Sequence, residues 1–225
     1  MRPTGSSNSG RMIRPILVIA ALASLAAPAL LAACAPMPPP RTMPEPPAGA
    51  YVDGPLIIGM KGIGPIRSTV YFEPPRIKDL FPKARIQQGV VQIDPLDPKD
   101  TLGDIIVYHG DTPMLEIDDG TRSAPGTDDP LVGQVRAIGG PVVGPRGERL
   151  GMRWRDAQFD LTQCEIGELH QRGRIVCARP HEGSVTYIFA VPGWNPVDLP
   201  SPLLLNQRAY LTEMVWTPST TRGPS

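Results

Sequence analysis

An apolar segment that ends at a cysteine most constrains what this chain can fold into. Residues 1–14 are polar and basic, with three arginines and no acidic residue. They precede Ile16–Ala33, which is apolar apart from Ser24 and is interrupted once by Pro28. A basic stretch, an apolar stretch and small residues before a cleavage site are typical of an export signal. The sequence therefore predicts that residues 1–33 are a signal peptide and that a later segment forms the folded domain.

The four residues Leu31-Ala32-Ala33-Cys34 resemble the lipobox of bacterial lipoproteins. In that class the cysteine sulfur receives a diacylglycerol, the signal is cut before the cysteine, and the new amino end is acylated. The resemblance implies a lipidated Cys34 that holds the protein on a membrane, since several acyl chains give stable anchoring. Ala35 stands where an aspartate retains the best-known lipoproteins at the inner membrane. The resemblance thus implies the outer membrane, with the domain facing the periplasm.

Two alternatives to lipidation stay open. The segment is also compatible with a plain secretory signal, in which Cys34 has no role. A membrane-spanning helix needs roughly 20 apolar residues, and Ile16–Ala33 is marginal in length, rich in alanine and broken by Pro28. No basic flank follows it. We therefore expect the lipoprotein signal.

The next segment, residues 34–50, contains seven prolines after the cysteine. Such composition favours extended polyproline conformations at about 3.1 Å per residue, which gives a tether of up to ~50 Å. We expect one folded domain over residues 51–216, long enough to bury about two-thirds of its unfolded surface, and a flexible tail over 217–225. Removal of residues 1–33 takes away three arginines and no acids, so the net charge becomes 19 − 22 = −3. A mildly acidic chain lacks the clustered basic residues that nucleic-acid binding needs.

Two cysteines remain if Cys34 carries lipid. In an oxidising compartment a disulfide between Cys164 and Cys177 is the default expectation, and it would close a hairpin or an exposed excursion at its base. A redox-active pair is the alternative, which the absence of C-x-x-C spacing disfavours.

Short apolar runs bounded by Gly, Pro and Asp dominate the domain. Val185, Tyr187 and Phe189 alternate with other residues, which is typical of a half-buried strand. Because no strand–long helix–strand unit repeats, we predict an α+β fold with a mainly antiparallel sheet, a few short helices and one disulfide. The predicted strands are Ile105–His109, Met114–Ile117, Leu131–Ile138, Arg174–Ala178, Val185–Val191 and Leu211–Trp216, and the predicted helices are Pro74–Phe81, Arg153–Leu161 and Ser201–Gln207.

Three features invite a chemical interpretation. The acidic stretch Asp118–Asp129 offers oxygen ligands for calcium, but its spacing is not that of an EF-hand loop, and we expect a solvated turn. The glycine-rich run Gly59–Pro65 lacks the Gly-Lys-Ser/Thr ending of a phosphate-binding loop, so it predicts a turn. The tryptophans, Trp154, Trp194 and Trp216, are expected to pack in the core or at its edge.

The histidines His109, His170 and His181 do not form a zinc-binding pattern, and we predict no metal and no cofactor. His109 lies near Asp111, and a Ser-His-Asp arrangement would need Ser123 or Ser184. The sequence has no Gly-x-Ser-x-Gly nucleophile elbow. We therefore predict no catalytic residue and expect His170 and His181 at exposed positions.

The domain resembles the RpoE-regulated lipoprotein family, a bacterial family whose domain has no known function. The resemblance implies an envelope lipoprotein tied to envelope stress and supplies no catalytic residues. This chain departs from the family in its proline-rich tether and in Asp118–Asp129. The resemblance rests on an ordered series of short matches: Gly62-Ile63-Gly64-Pro65-Ile66, Thr69, Gly110-Asp111, Leu150-Gly151, Trp154-Arg155-Asp156, Cys164, Val176-Cys177-Ala178, Tyr187, Phe189, Leu199-Pro200 and Met214-Val215-Trp216.

These observations lead us to expect a non-enzymatic envelope lipoprotein that binds an envelope protein or a small ligand in the periplasm. The alternative is a hydrolase or redox enzyme that acts on envelope material. Convergent polar groups with perturbed pKa values in a pocket would favour the enzyme. An exposed apolar face or groove would favour a binding role.

Overall fold

The computed structural model of the chain describes residues 49–94, 96–119, 126 and 128–219, which all belong to one compact unit. The predicted signal peptide and Cys34 lie outside the described residues. Within the part of the chain that the structure describes, no helix is both long and apolar enough to cross a bilayer.

Over the described residues the fold is mostly antiparallel β-sheet with three short α-helices, so the α+β class predicted from the sequence holds only loosely. Two single-turn 3₁₀ helices, Leu161–Gln163 and Leu169–Gln171, flank the first strand of the disulfide hairpin. The strands and α-helices are β1 (Leu56–Gly59), β2 (Gly62–Ile63), β3 (Ile66–Arg67), α1 (Pro74–Leu80), β4 (Arg85–Asp94), β5 (Asp97–His109), β6 (Thr112–Asp118), β7 (Gln134–Ala137), β8 (Val142–Val143), α2 (Trp154–Ala157), β9 (Cys164–Ile166), β10 (Arg174–Ala178), β11 (Val185–Ala190), α3 (Pro202–Arg208) and β12 (Tyr210–Trp216).

The main sheet has eight strands in the order β4-β5-β6-β7-β12-β11-β10-β9, and every neighbouring pair is antiparallel. A smaller sheet has the order β3-β2-β1-β8, in which β1 and β8 run parallel. The predicted turn at Gly59–Pro65 is confirmed, because its residues connect β1 to β2 and β2 to β3.

One face of the main sheet forms the hydrophobic core. Side chains alternate between the two faces of a strand, so directly opposed residues share a face. Leu115 faces Ala137, and Ala137 faces Met214, which in turn faces Tyr187 on the next strand. All four are fully buried. This alternation explains why the strand prediction at Val185–Val191 succeeded.

The helices begin within one residue of the predicted positions, and the second is much shorter than predicted. α1 begins with prolines, which a first helical turn tolerates, and Ser201 accepts a hydrogen bond from the Leu204 amide at 3.3 Å as the N-cap of α3. The helix predicted over Arg153–Leu161 is wrong beyond Ala157. It stops there because Gln158 takes a left-handed conformation with φ of 55°, and a separate 3₁₀ turn starts at Leu161.

Candidate functional site

The second face of the main sheet carries charged side chains that the fold encloses. We call this set the polar face, and its members come from five strands. Glu116 lies opposite Arg136, and Asp118 lies opposite both Asp104 and Gln134. Because these positions alternate with core residues, the charges are directed away from the hydrophobic core. The polar face consists of Asp104 on β5, Glu116 and Asp118 on β6, Arg136 on β7, Glu213 on β12 and Arg174 on β10.

Four of these side chains form a series of ion pairs across the sheet. Arg136 donates from Nη1 to Glu116 Oε1 at 2.7 Å and from Nε to Glu213 Oε2 at 3.2 Å. Glu213 also pairs with Arg174. The side chains of Arg136 and Glu116 are each 14% exposed, and that of Glu213 is 6% exposed. Buried charges are tolerated only when they are paired and hydrogen-bonded, so these contacts hold the face together.

The two aspartates of the polar face, unlike its other members, have no ion-pair partner among the described residues. Asp104 is only 4% exposed, and its Oδ1 atom has no hydrogen-bond partner among the described residues. Burial and then the neighbouring Glu116 raise the pKa of Asp104 to about 6, against the opposing influence of Arg136. Burial and then Asp119 raise the pKa of Asp118 to about 6. Neighbouring carboxylates in a desolvated site disfavour each other's charged forms, and here Glu116 acts in this way on Asp104, and Asp119 and Glu116 on Asp118.

The two edges of the main sheet come together near this face. The 3₁₀ turn Leu169–Gln171 follows β9 at one edge and contacts β4 at the other edge. His170 in this turn has its pKa lowered first by burial and then by the charges of Arg136 and Arg174. We infer from these influences that the turn lies over the polar face. His170 Nε2 is buried without a hydrogen-bond partner among the described residues, so the expected exposed position of His170 is wrong.

A cleft lies at one edge of the main sheet and an open space at the other. The cleft, of about 290 Å³, runs along the hairpin of β9 and β10 and is lined by Glu165, His170 and Val176 among others. At the other edge, Gly89 of β4 lies directly opposite Asp104. A Cβ atom placed on Gly89 would meet no atom within 4 Å. The position opposite Asp104 on β4 therefore has neither a side chain nor a neighbouring atom that fills its place.

A second buried charge cluster lies in the core and is fully satisfied. Arg179 donates to Glu148 and to the backbone oxygen of Ala157, and its guanidinium lies 4.0 Å from the ring centroid of Phe159. Tyr187 donates to Glu182 at 2.8 Å, and burial followed by Glu148 raises the pKa of its hydroxyl. The carboxylates of Glu148 and Glu182 and the hydroxyl of Tyr187 all have partners, so we assign this cluster to the stability of the fold.

The predicted disulfide is confirmed. Cys164 on β9 and Cys177 on β10 are bonded and lie opposite each other in the sheet. The residues between them form a hairpin that includes the turn Leu169–Gln171. The cross-link therefore closes the hairpin that carries His170 over the polar face.

The structure does not assemble the serine and histidine candidates. His109 and His181 are exposed, and the hydroxyl of Ser184 lies 2.6 Å from that of Ser219. Ser123 lies outside the described residues. Trp154 and Trp216 are buried in the core, as predicted, and Trp194 packs against it.

The acidic stretch is described only in part, at Asp118, Asp119, Gly126 and residues 128–129. A solvated turn is wrong for its first two residues, because Asp118 is desolvated by burial and Asp119 Oδ1 is buried without a hydrogen-bond partner among the described residues. Within the described ranges, no three His, Cys, Asp or Glu side chains are grouped closely enough to hold a metal ion.

The polar face itself was not recognised in the sequence. Glu116 and Arg136 alternate with apolar residues, whereas Glu213 follows Thr212 and precedes three apolar residues. The alternation places Glu116 and Arg136 on the face opposite the core. It does not tell whether that face is open to water. One sequence signal could have indicated the polar face. Charges of both signs occur at matching positions of strands that are predicted to be neighbours.

Comparisons with known proteins show the class of fold. No protein-family model matches the chain, and no curated protein matches it. Among solved structures, the domain shares its mainly antiparallel fold with a bacterial protein of uncharacterized role. That protein is yfeY from Escherichia coli, with a TM-score of 0.55 and 14% sequence identity over 71% of this chain and 98% of that chain. At this identity the likeness shows the fold alone.

Proposed function

We propose that this protein is a bacterial envelope lipoprotein that binds a ligand in the periplasm through its polar face. The observation that carries the binding role is the buried Oδ1 atom of Asp104, which has no hydrogen-bond partner among the described residues. A buried acceptor without a partner costs about 1–3 kcal/mol. A ligand that donates a hydrogen bond there would remove that cost.

The anchor in this proposal rests on the sequence. Leu31-Ala32-Ala33-Cys34 ends the apolar segment in the way that a lipobox does, and we propose that Cys34 carries the lipid that holds the domain at the outer membrane. The ordered series of short sequence matches to the RpoE-regulated lipoprotein family supports a role in envelope maintenance under stress, and the likeness to yfeY adds only that the fold is one that a bacterial protein adopts.

The anchor is tested by fractionating cells that produce the chain with or without Cys34→Ala. We expect the unmodified chain in the membrane fraction with incorporated palmitate and the variant in the periplasmic fraction without it. A variant that stays with the membrane would contradict the anchor.

The binding role is tested by photocrosslinking in intact cells. A photoreactive amino acid at position 87 would lie on the same face of β4 as Gly89, because alternate residues of a strand share a face, and it leaves the space at Gly89 open. The same amino acid at position 88, on the opposite face of the strand, provides a matched control. Gln87 and Gln88 are both exposed. We expect a discrete added mass at position 87 only. Equal labelling at both positions, or none, would contradict a binding role for the polar face.

The alternative, a hydrolase or redox enzyme, has less support from the described residues. Ser184 is hydrogen-bonded to Ser219, and Cys164 and Cys177 are joined as a cross-strand disulfide within a hairpin. Turnover of envelope material by the purified chain that is lost on substitution of Asp104 would favour the enzyme.

A further inference from the structure

We propose that the polar face binds a small molecule through a primary ammonium group, which Asp104 and Asp118 hold between them. The proposal rests on the binding role argued above and adds the chemical class of the ligand. Its basis is the charge of the face, the position of the two aspartates, and the space in front of them.

The polar face has more negative than positive groups. Its four carboxylates, Asp104, Glu116, Asp118 and Glu213, face the two guanidinium groups of Arg136 and Arg174, which leaves an excess of 4 − 2 = 2 carboxylates. Both arginines are engaged by glutamates. The aspartates are the members that lack an ion pair among the described residues, so a cation from outside finds its partner there.

The two aspartates are placed to receive one group together. Asp104 and Asp118 are directly opposed on antiparallel strands, and the Cβ atoms of such pairs are about 4.5–5.5 Å apart. An ammonium nitrogen between two carboxylates can donate a hydrogen bond to each, because it carries three donors. Hydrogen bonds between ions are shorter and stronger than those between neutral groups. The unpartnered Oδ1 atom of Asp104 supplies one of the acceptors.

A metal ion suits this place less well. Calcium takes six to eight oxygen ligands, whereas no group of three His, Cys, Asp or Glu side chains in the described ranges is arranged to hold a metal. An ammonium ion has no fixed coordination number and needs only two acceptors here. The chemistry of the pair therefore favours an organic cation.

Access to the pair comes from the side of β4. Gly89 faces Asp104 and leaves open space where a side chain would stand. A small amine can occupy that space without displacing a core residue, and it reaches Asp104, which is 4% exposed, when the carboxyl group turns toward it. A larger residue at position 89 would occupy this space while leaving both carboxylates intact.

Titration calorimetry on the full-length chain in nonionic detergent tests the proposal with n-butylammonium as the probe. We expect binding at pH 7.5, and binding of tetramethylammonium weaker by about tenfold or more, because that ion has the same charge and no N–H donor. Equal affinity for the two ions would overturn the proposal. Displacement of n-butylammonium by one equivalent of calcium would also overturn it, in favour of a metal site.

Variants locate the site. Asp104→Asn and Asp118→Asn should each weaken n-butylammonium binding by about tenfold or more, whereas Asp111→Asn at an exposed turn should change it less than about twofold. Unchanged binding in either of the first two would overturn the proposal. Gly89→Leu should block binding with both carboxylates present, and Gly183→Leu should not. If an aspartate variant fails to fold, the comparison of Gly89→Leu with Gly183→Leu still tests whether the ligand binds at the polar face.

The same experiment separates the sources of the ammonium group. Glycerophosphoethanolamine carries the amine of a lipid headgroup together with its phosphate, and preference for it over n-butylammonium would indicate a headgroup. The reverse preference would indicate a free amine. Labelling at position 87 in cells without any ammonium binding in vitro would overturn this inference and leave the proposed function standing.

Discussion

Asp104 and Asp118 lie directly opposite each other on β5 and β6, so that two carboxylates share one enclosed face of the sheet. Each has its pKa raised to about 6 by burial first and by neighbouring carboxylates second, while Arg136 acts in the opposite direction on both. The folded state therefore holds their protons more tightly than the unfolded chain, in which an aspartate titrates near 4.

This relationship predicts how stability depends on pH. An acid whose pKa is raised in the folded state contributes stability that is fully present below its unfolded pKa and is lost as the pH rises through its folded pKa. We expect Asp104→Asn to be more stable than the unsubstituted chain at pH 7.5 by about 1–2 kcal/mol. This difference should disappear below about pH 4.

Urea unfolding curves of both chains between pH 3.5 and 7.5 measure this difference. The comparison between the two chains is needed because His170, whose pKa is lowered in the folded state, acts in the opposite sense as the pH falls below about 6.5. That effect cancels in the difference. A stability difference that does not change with pH would show that Asp104 is not desolvated.

The buried cation Arg179 predicts a large loss of stability on substitution. Its side chain is 3% exposed, is paired with Glu148, and is stacked over Phe159. Arg179→Met keeps much of the volume but leaves Glu148 as a buried charge without its partner. Breaking a buried pair in this way costs about 3–5 kcal/mol.

Arg155→Met is the matched control for Arg179. Arg155 pairs with Asp156 at 3.7 Å, but its side chain is 68% exposed, and exposed pairs contribute about 0–1 kcal/mol. Denaturant midpoints at pH 7.5 compare the two variants. Similar midpoints would mean that water reaches the Arg179 cluster in solution.

A glycine in close contact with backbone predicts a further sensitive position. A Cβ atom at Gly139, just after β7, would overlap the backbone oxygen of Pro113 near the start of β6, whereas one at Gly183 would meet nothing within 4 Å. Neither residue has a positive φ, so only the overlap separates them. We expect Gly139→Ala to cost about 1–3 kcal/mol and Gly183→Ala to leave thermal stability nearly unchanged. Equal melting temperatures would contradict the overlap.

The alternation of apolar residues predicted the central strands because burial on one face dictates it. Val185, Tyr187 and Phe189 are all fully buried, and the strand that contains them lies inside the sheet. The sequence does not predict β4, because little of this strand is buried. It is an edge strand in which residues such as Gln88 and Val90 are exposed, so pairing with β5 rather than burial defines it, and such pairing leaves no periodic signal.

The candidate site was beyond sequence reasoning because its character depends on a distant contact. Strand periodicity places Glu116 and Arg136 on the face opposite the core, where the default expectation is solvent. The turn Leu169–Gln171 reverses that expectation by reaching the opposite edge strand β4. The turn and β4 are far apart in the chain, so no local sequence pattern predicts the contact between them. The exposed position predicted for His170 is wrong for the same reason.

The disulfide gives the last prediction, because it closes the hairpin that carries His170. Cys164 and Cys177 are 13 positions apart, and a cross-link that closes a loop of about 15 residues stabilises a fold by ~3 kcal/mol through the entropy of the unfolded chain. Reduction should add the mass of two protons to the mature chain and lower its free energy of unfolding by about that amount. It should also release the turn Leu169–Gln171 from the polar face, which faster amide exchange at residues 168–172 would reveal.

A double variant with serine at both positions should reproduce these effects without reductant, and Cys34→Ser should not. Two freely alkylated thiols in the untreated protein would contradict the cross-link.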